Sequence, residues 1–578
     1  MKKQASENPG FTLRAAIVAV LLSLVLLASS TYIAIKIGAL PWPIVFSVIA
    51  AGGIIKLLSR GKAVSVHEIN VAQAGASIGG LVAAGIAFTV PGILYLNQTQ
   101  GLEIPWPNPW LLGLLTALAG LLGVLLSVPL KQTFVDREQL PYPAGTAGAE
   151  LLKLGKTGGK LLAFVVIWGA IAGIFALARD LYFPAGFTLS ALTAFGIYLT
   201  LLPMPLAIGG GYILGPKASF SWLGGAMVGW LLIVPLMVQS GWEFSAARGF
   251  IQNLGMGLVL GSGVGFFISY VLPRLREIFR PMFTSLKGFA KLYPLISVLG
   301  MFAMIAAGVP FFAAAIAVLG VWIMVTVAGR MTGETNIDPL EQFGIFVGLI
   351  VAFIYDAAGL KLDVHAAFMI VTFVSVACAI AGDAGHDFKS AAIIGTKFSD
   401  IVKVDLITVI FAGAAAPFVL ETIRTGFAAE LFTPIMPAPQ AQLVAGSISG
   451  FAYPQAFWGG FALALAVEII NSFLPDRYKN RVLMMPFGIG LFLGMGFALP
   501  IAVGAAIRAW IDKNRPALYQ SGLLIAAGVM GGEGIAGFSS GAFKTLGIAQ
   551  GAAANILIAV MTLVMFSALL AYRKQREN

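Results

Sequence analysis

The chain has 578 residues, 59% of them hydrophobic and 11% charged, with a net charge of +11 at pH 7 and a mean hydropathy of +0.92. Soluble domains carry about 45–50% apolar and about 25% charged residues, and water-soluble cores stop growing near ~250–300 residues, so a soluble fold is excluded and lipid is the solvent. The basic residues sit in short hydrophilic breaks, at 131–160, 274–291, 477–481 and 573–576, as positive-inside loops do beside anionic headgroups. That distribution points to a bilayer and not to nucleic acid.

Spans of about 20 apolar residues are expected near 13–36, 43–58, 72–95, 110–130, 161–182, 187–203, 218–238, 249–272, 292–309 and 311–329. Further spans follow near 338–358, 366–382, 404–424, 455–474, 483–511, 518–536 and 547–571, at least one of them re-entrant or interfacial. The first run is too long for a signal-peptide core and reads as a retained helix. The fold class is therefore an all-α polytopic membrane protein of about 16 transmembrane helices, without a soluble domain. Lys2, Lys3, Arg14, Arg60 and Lys62 place the N-terminus in the cytoplasm. Basic clusters at both ends of 483–511 break that pattern unless Pro500 turns the stretch into a hairpin or one cluster faces outward. The single cysteine, Cys378, lies in an apolar run and supports neither a disulfide framework nor a cysteine metal site.

Glycine groups interrupt several spans: Gly79-Gly80, Gly209 to Gly211, Gly382 to Gly385 and Gly531-Gly532. Broken backbone in lipid is tolerated where it is buried in protein or lines a cavity, and transporters build midplane sites from such helices. For any single glycine pair, close helix packing is the better explanation. Where the glycines accompany charged residues, a site is the expectation.

Ionisable residues inside spans are costly and mark function. His67 to Ser77 carries Glu68, Asn70, Gln73 and Ser77, which cannot all share one helical face; an unwound start would present several of them. A solvated helix start with Glu68 near the positive dipole end is the alternative. The segment Gly329 to Glu341 gathers Glu334, Asn336, Asp338 and Glu341, either as an ordinary loop or as one dipping between spans. In Gly382-Asp383-Ala-Gly-His386-Asp387-Phe-Lys389 the Asp383, His386 and Asp387 side chains stand at i, i+3 and i+4 and share a helical face. A proton relay or substrate clamp fits them better than a metal, since further nitrogen or sulfur ligands are lacking. Lys389 could pair with Asp387 or meet a substrate carboxylate. Asp356, Glu468 and Glu533 are lone carboxylates, and Glu533, in a glycine-rich span, is the foremost protonatable group. Arg179 and Asp180 read as an interfacial pair ending the fifth span. No zinc-protease, nucleophile-elbow or Walker signature occurs, so neither an enzyme nor an ATP-driven pump is indicated, and no cofactor or resident metal is expected.

Motifs in order along the chain resemble the oligopeptide transporter (OPT) superfamily in its prokaryotic branch, and more distantly the yellow stripe-like carriers. They are Ser30 to Gly38, Glu68 to Gly85 with Phe88 to Pro91, Leu140 to Ala147, Gly209 to Gly215, Gly382 to Lys389 with Gly395, Pro437 to Ala441, and Gly532 to Gly534. The resemblance implies about sixteen helices built by internal duplication, with halves near 1–280 and 281–578. It also implies proton-driven uptake of peptides or metal–chelate conjugates. Two departures bear on the substrate: Ala74 follows Gln73 where the family pattern has threonine, and Asp-Ala-Gly-His replaces a more apolar stretch.

The sequence thus points to a proton-coupled importer of small oligopeptides in the inner membrane, with a homodimer compatible. Asn70, Gln73, Ser77, Asn336, His386, Asp387 and Lys389 are its substrate candidates; Glu68, Glu334, Asp383 and Glu533 are its proton candidates. A metal–chelate carrier of the same fold is the first alternative, and a passive channel or membrane scaffold the second.

Overall fold

The computed structural model describes residues 10–40, 44–59, 63–153, 159–193, 195–274, 288–475 and 481–577. Lys2, Lys3, Arg60 and Lys62, on which the orientation rests, fall outside these residues, as do most of the basic loop after Arg274 and Arg477.

The first half runs through α1 (Leu13–Ile37), α2 (Ile44–Leu58), α3 (Val66–Ala87), α4 (Gly92–Gln100), α5 (Pro109–Leu130), α6 (Pro143–Lys153) and α7 (Gly159–Tyr182). After a short α8 (Ser190–Thr193) come α9 (Pro205–Leu214), α10 (Pro216–Met227), α11 (Val234–Gln239) and α12 (Phe244–Phe266). The second half has α13 (Tyr293–Ala306), α14 (Phe311–Thr335), α15 (Leu340–Ala357), α16 (Val364–Ile394), α17 (Phe398–Gly426), α18 (Pro439–Ser449) and α19 (Pro454–Phe473). It closes with α20 (Met484–Leu493), α21 (Met495–Asn514), α22 (Tyr519–Thr545) and α23 (Gln550–Glu577). Among the described residues 15 helical stretches are long and apolar enough to cross a membrane. α3 and α16 lie innermost, with nearly every side chain buried, whereas α23 faces mostly outward.

Three expectations change. The stretch 187–203 is not a span: Phe187–Thr188 pairs antiparallel with Thr200–Leu201, and Gly186 and Gly196, both at positive φ, turn the chain around it. With Thr188, Thr193 and Thr200 it lacks the unbroken apolar run a bilayer demands. Second, the suspected glycine groups do not break their helices: α3, α9, α16 and α22 run straight through them. Their role is close approach, since a methyl at Gly79 would overlap the Ser23 carbonyl and one at Gly532 the Gly169 carbonyl. Third, the genuine breaks fall at Gly215 (φ 83°) and Gly494 (φ 76°), a backbone region open to glycine. Pro500, one of the two ways in which the basic clusters around 483–511 could be reconciled, stays inside α21.

Several elements recur at a fixed spacing: α1, α2 and α3 precede α14, α15 and α16 by about 298 residues. α1 ends in a left-handed cap at Gly38 and α14 in one at Asn336, 298 residues on; the caps that start α3 and α16, Ser65 and Asp363, stand 298 apart as well. The backbone bond Tyr142 N–H to Gly333 C=O mirrors Ala438 N–H to Ile35 C=O. Around the broken helices, Gly211 abuts the Ile501 carbonyl and Gly490 the Trp222 carbonyl, while Gly225 abuts Phe487 and Gly504 abuts Ile208. These residues form four pairs, the members of each standing 279 positions apart.

Candidate functional site

α3 is a regular helix from its Ser65 cap, so Asn70, Gln73 and Ser77, at i, i+3 and i+7, form one stripe, and no unwound start is needed. Glu68 lies off that stripe. Across from it α16 presents Asp383, Asp387 and Ser390, at i, i+4 and i+7. The two helices run antiparallel, and their polar stripes mesh. Ser77 Oγ lies 2.6 Å from Asp383 Oδ2, Gln73 Nε2 donates to Asp387 Oδ1 at 3.2 Å, and Ser390 Oγ donates to Asn70 Oδ1 at 2.5 Å. Asn70 Nδ2 donates to Thr396 Oγ1 at 3.0 Å, and Ser47 on α2 reaches Gln73 Oε1 at 3.4 Å. All of these side chains but Thr396 are almost wholly inaccessible.

The seam holds more negative charge than it compensates. Asp383 Oδ1, Asp387 Oδ2 and both Asp405 oxygens are buried without a hydrogen-bond partner, and the three carboxylates lie within electrostatic reach of one another. Among the described residues no basic side chain pairs with any of them. Asp405, on α17, was not singled out by sequence because it stands at the edge of an expected span, where a charge looks ordinary. Its membership comes from Thr408, one turn on, whose hydroxyl lies against Gly75 of α3.

Other candidates are held elsewhere. His386 turns toward α6: its Nδ1 accepts from Gly145 N–H at 3.1 Å, and its ring meets Tyr142 edge-on. Asn336 caps α14 and accepts from Ala144 N–H at 3.2 Å. Lys389 is partly exposed and points to the Gln139 carbonyl, at 3.4 Å, away from Asp387. Glu68 binds Arg14 at 2.6 Å and Thr12 at 2.5 Å, bracing the start of α1. Glu334 pairs with Arg330 at 3.2 Å. Glu533 is fully buried but paired: Arg179 reaches it at 2.8 Å, and Leu206 N–H, at the start of α9, donates to its second oxygen at 2.8 Å. Arg179 is thus a core residue and not an interfacial one; it also binds Asp180, which Lys36 approaches to 3.9 Å. Glu468 accepts from Ser262, and Asp356 is exposed.

Asp338, in the loop between α14 and α15, has a sealed carboxylate with neither oxygen bonded. Burial, with Glu341 and Asp383 adding repulsion, raises its carboxyl well above the usual range. Among the described residues no group of three or more His, Cys, Asp or Glu side chains converges as a metal site.

A sequence model described as "OPT oligopeptide transporter protein" matches residues 10–255 and 285–544. A Haemophilus influenzae protein assigned to oligopeptide transport by name alone is 27% identical over 88% of this chain and 91% of its own. A metal-nicotianamine transporter of Arabidopsis thaliana, YSL3, is 23% identical over 72% of this chain and 70% of its own. A rice protein assigned by name to the same transport, YSL9, is 23% identical over 74% and 71%.

Proposed function

Because the chain belongs to the OPT oligopeptide transporter family, we propose that it is a secondary active transporter that carries small oligopeptides inward across the inner membrane together with protons. The carrying observation is the seam between α3 and α16, where Asp383, Asp387 and Asp405 are buried without a counter-charge. An isolated carboxylate in such surroundings is far too costly to stay ionised alone, so a proton or a substrate ammonium supplies the partner. Asn70, Gln73 and Ser77 offer the donors and acceptors that a peptide backbone needs. Glu68, Glu334 and Glu533 already hold basic partners and are poorer proton sites.

The matching elements of the two halves support reading residues 1–280 and 281–578 as a duplication. α3 and α16 are counterparts and antiparallel, so the twofold relating them crosses the helices, as in inverted-topology repeats. The seam sits where the halves meet. A cytoplasmic N-terminus and a homodimer complete the proposal.

Proteoliposomes with an acidic exterior test it. Uptake of labelled di- and tripeptides should follow the pH gradient and disappear in Asp387→Asn. Gradient-independent flux, or uptake intact in Asp387→Asn, sinks the reading. The names of the yellow stripe-like relatives keep a metal–chelate cargo as the second reading; it prevails if a chelate accumulates and peptides fail to compete.

A further inference from the structure

α9, α21 and α22 meet outside the seam. α9 and α22 run antiparallel, from Leu206 N–H on Glu533 at one end to Tyr212 against Gly522 at the other. α21 crosses α9 where Gly504 abuts the Ile208 carbonyl. Between these contacts the three helices leave a cavity of about 160 Å³, lined by Ile208, Tyr212, Ile507, Ile511, Ile525 and Val529 among others. None of the described residues that line it is charged, and the Tyr212 hydroxyl is turned to the Tyr519 carbonyl, at 3.1 Å. An apolar cavity of about 150 Å³ stays dry and accepts an apolar guest.

This cavity opens outward. Ile507 is 45% exposed and stands between Val503 and Trp510, both exposed as well, on one outer strip of α21. Trp510 sets the level, since exposed tryptophans collect where hydrocarbon gives way to headgroups. Just beyond it, where α21 turns into α22, Lys513 and Arg515 are exposed. They follow Ile511, a lining residue of the groove, by two and four positions. Arg508 and Asp512 answer each other within α21 at 2.8 Å. Among the described residues no carboxylate pairs with Lys513 or Arg515.

We propose that the groove holds one acyl chain of an anionic phospholipid, whose phosphate meets Lys513 and Arg515. The charge selects the headgroup: a basic pair at the membrane surface attracts acidic lipid, whereas a zwitterionic headgroup brings a cation of its own. The cavity sets this lipid apart from the surrounding annulus. A chain seated between three helices is gripped on several sides, and a convex surface grips it on one. The bound chain bridges α9, α21 and α22 and so resists their separation, at the end of the α9–α22 contact opposite Glu533. The inference does not depend on what the protein carries.

The test mixes the purified full-length chain in detergent with equal amounts of phosphatidylglycerol and phosphatidylcholine of matched chains, and reads retained lipid by native mass spectrometry. Phosphatidylglycerol should be retained in preference by about tenfold or more. Lys513→Gln combined with Arg515→Gln, both at the surface, should erase that preference. Ile507→Trp, which fills the groove, should abolish retention of either lipid, while Val560→Trp, on the outer face of α23, should leave it intact. Equal retention of the two lipids by the parent chain, or retention unchanged in Ile507→Trp, overturns the site. Equal loss in Val560→Trp would reveal annular lipid only and overturns it too. So does a dimer that Ile507→Trp dissociates with no lipid retained, which would give this face to a second copy of the chain.

Discussion

α1 to α3 and α14 to α16 share a backbone plan and differ in chemistry. Reading across the 298-residue offset, Ala34 stands where the second half has Thr332, Leu40 where it has Asp338, Gly85 where it has Asp383, and Thr89 where it has Asp387. In the other direction Asn70 and Gln73 face Phe368 and Val371. Caps, helix ends and cross-half backbone bonds recur because packing demands them in both places. The amides and carboxylates do not recur: amide donors lie on α3 and carboxylates on α16. A site between two like elements with unlike side chains can ask different things of each end of a substrate, which a strictly symmetric site cannot.

The first way to break this comparison is to give α16 the residue of its counterpart. Asp387→Thr keeps an acceptor for Gln73 and copies Thr89, so the protein should fold to normal yield while pH-driven peptide uptake falls to background. Uptake near the parent level would show that the charge asymmetry is not functional. Next in size is the buried pair of Arg179 and Glu533. Arg179→Met leaves Glu533 buried without its cation and should cost about 3–5 kcal/mol, measured by thermal unfolding in detergent. Adding Glu533→Met should recover a large part of that. No recovery would mean that Glu533 is needed as a charge and return it to the proton candidates.

The spans and the class of fold were readable because bilayer thickness imposes about 20 apolar residues per crossing. The hairpin at 187–203 was not, because Phe187, Leu189 and Leu201 keep it apolar enough to imitate a span. Glycine groups left both packing and breakage open, because a glycine that yields to a neighbouring helix and one that turns the chain look alike in sequence. Only position against Ser23 or Gly169 separates the first kind from Gly215 and Gly494. The stripe of Asn70, Gln73 and Ser77 was within reach of helical periodicity once Glu68 was set aside. What stayed hidden was partnership: Arg179 reaches Glu533 across 354 positions, and Gln73 reaches Asp387 across 314.

Smaller changes sharpen the comparison without breaking it. Ser77 and Ser375 are counterparts, yet Ser77 holds Asp383 while the Ser375 hydroxyl has no partner. Ser77→Ala should therefore cost about 1–3 kcal/mol, the penalty for stranding a buried polar group, and Ser375→Ala should be neutral or slightly stabilising; equal losses at the two sites would deny the asymmetry. The smallest effect belongs to Glu68, the acid at the edge of the first stripe. Its partner Arg14 is one-third exposed, so solvent screens the pair and Glu68→Gln should cost about 1 kcal/mol or less. If Glu68 only braces α1, the pH profile of uptake stays where it was. A displaced profile in Glu68→Gln would instead extend the proton path from α16 to the cap of α3, into the half that otherwise supplies amides.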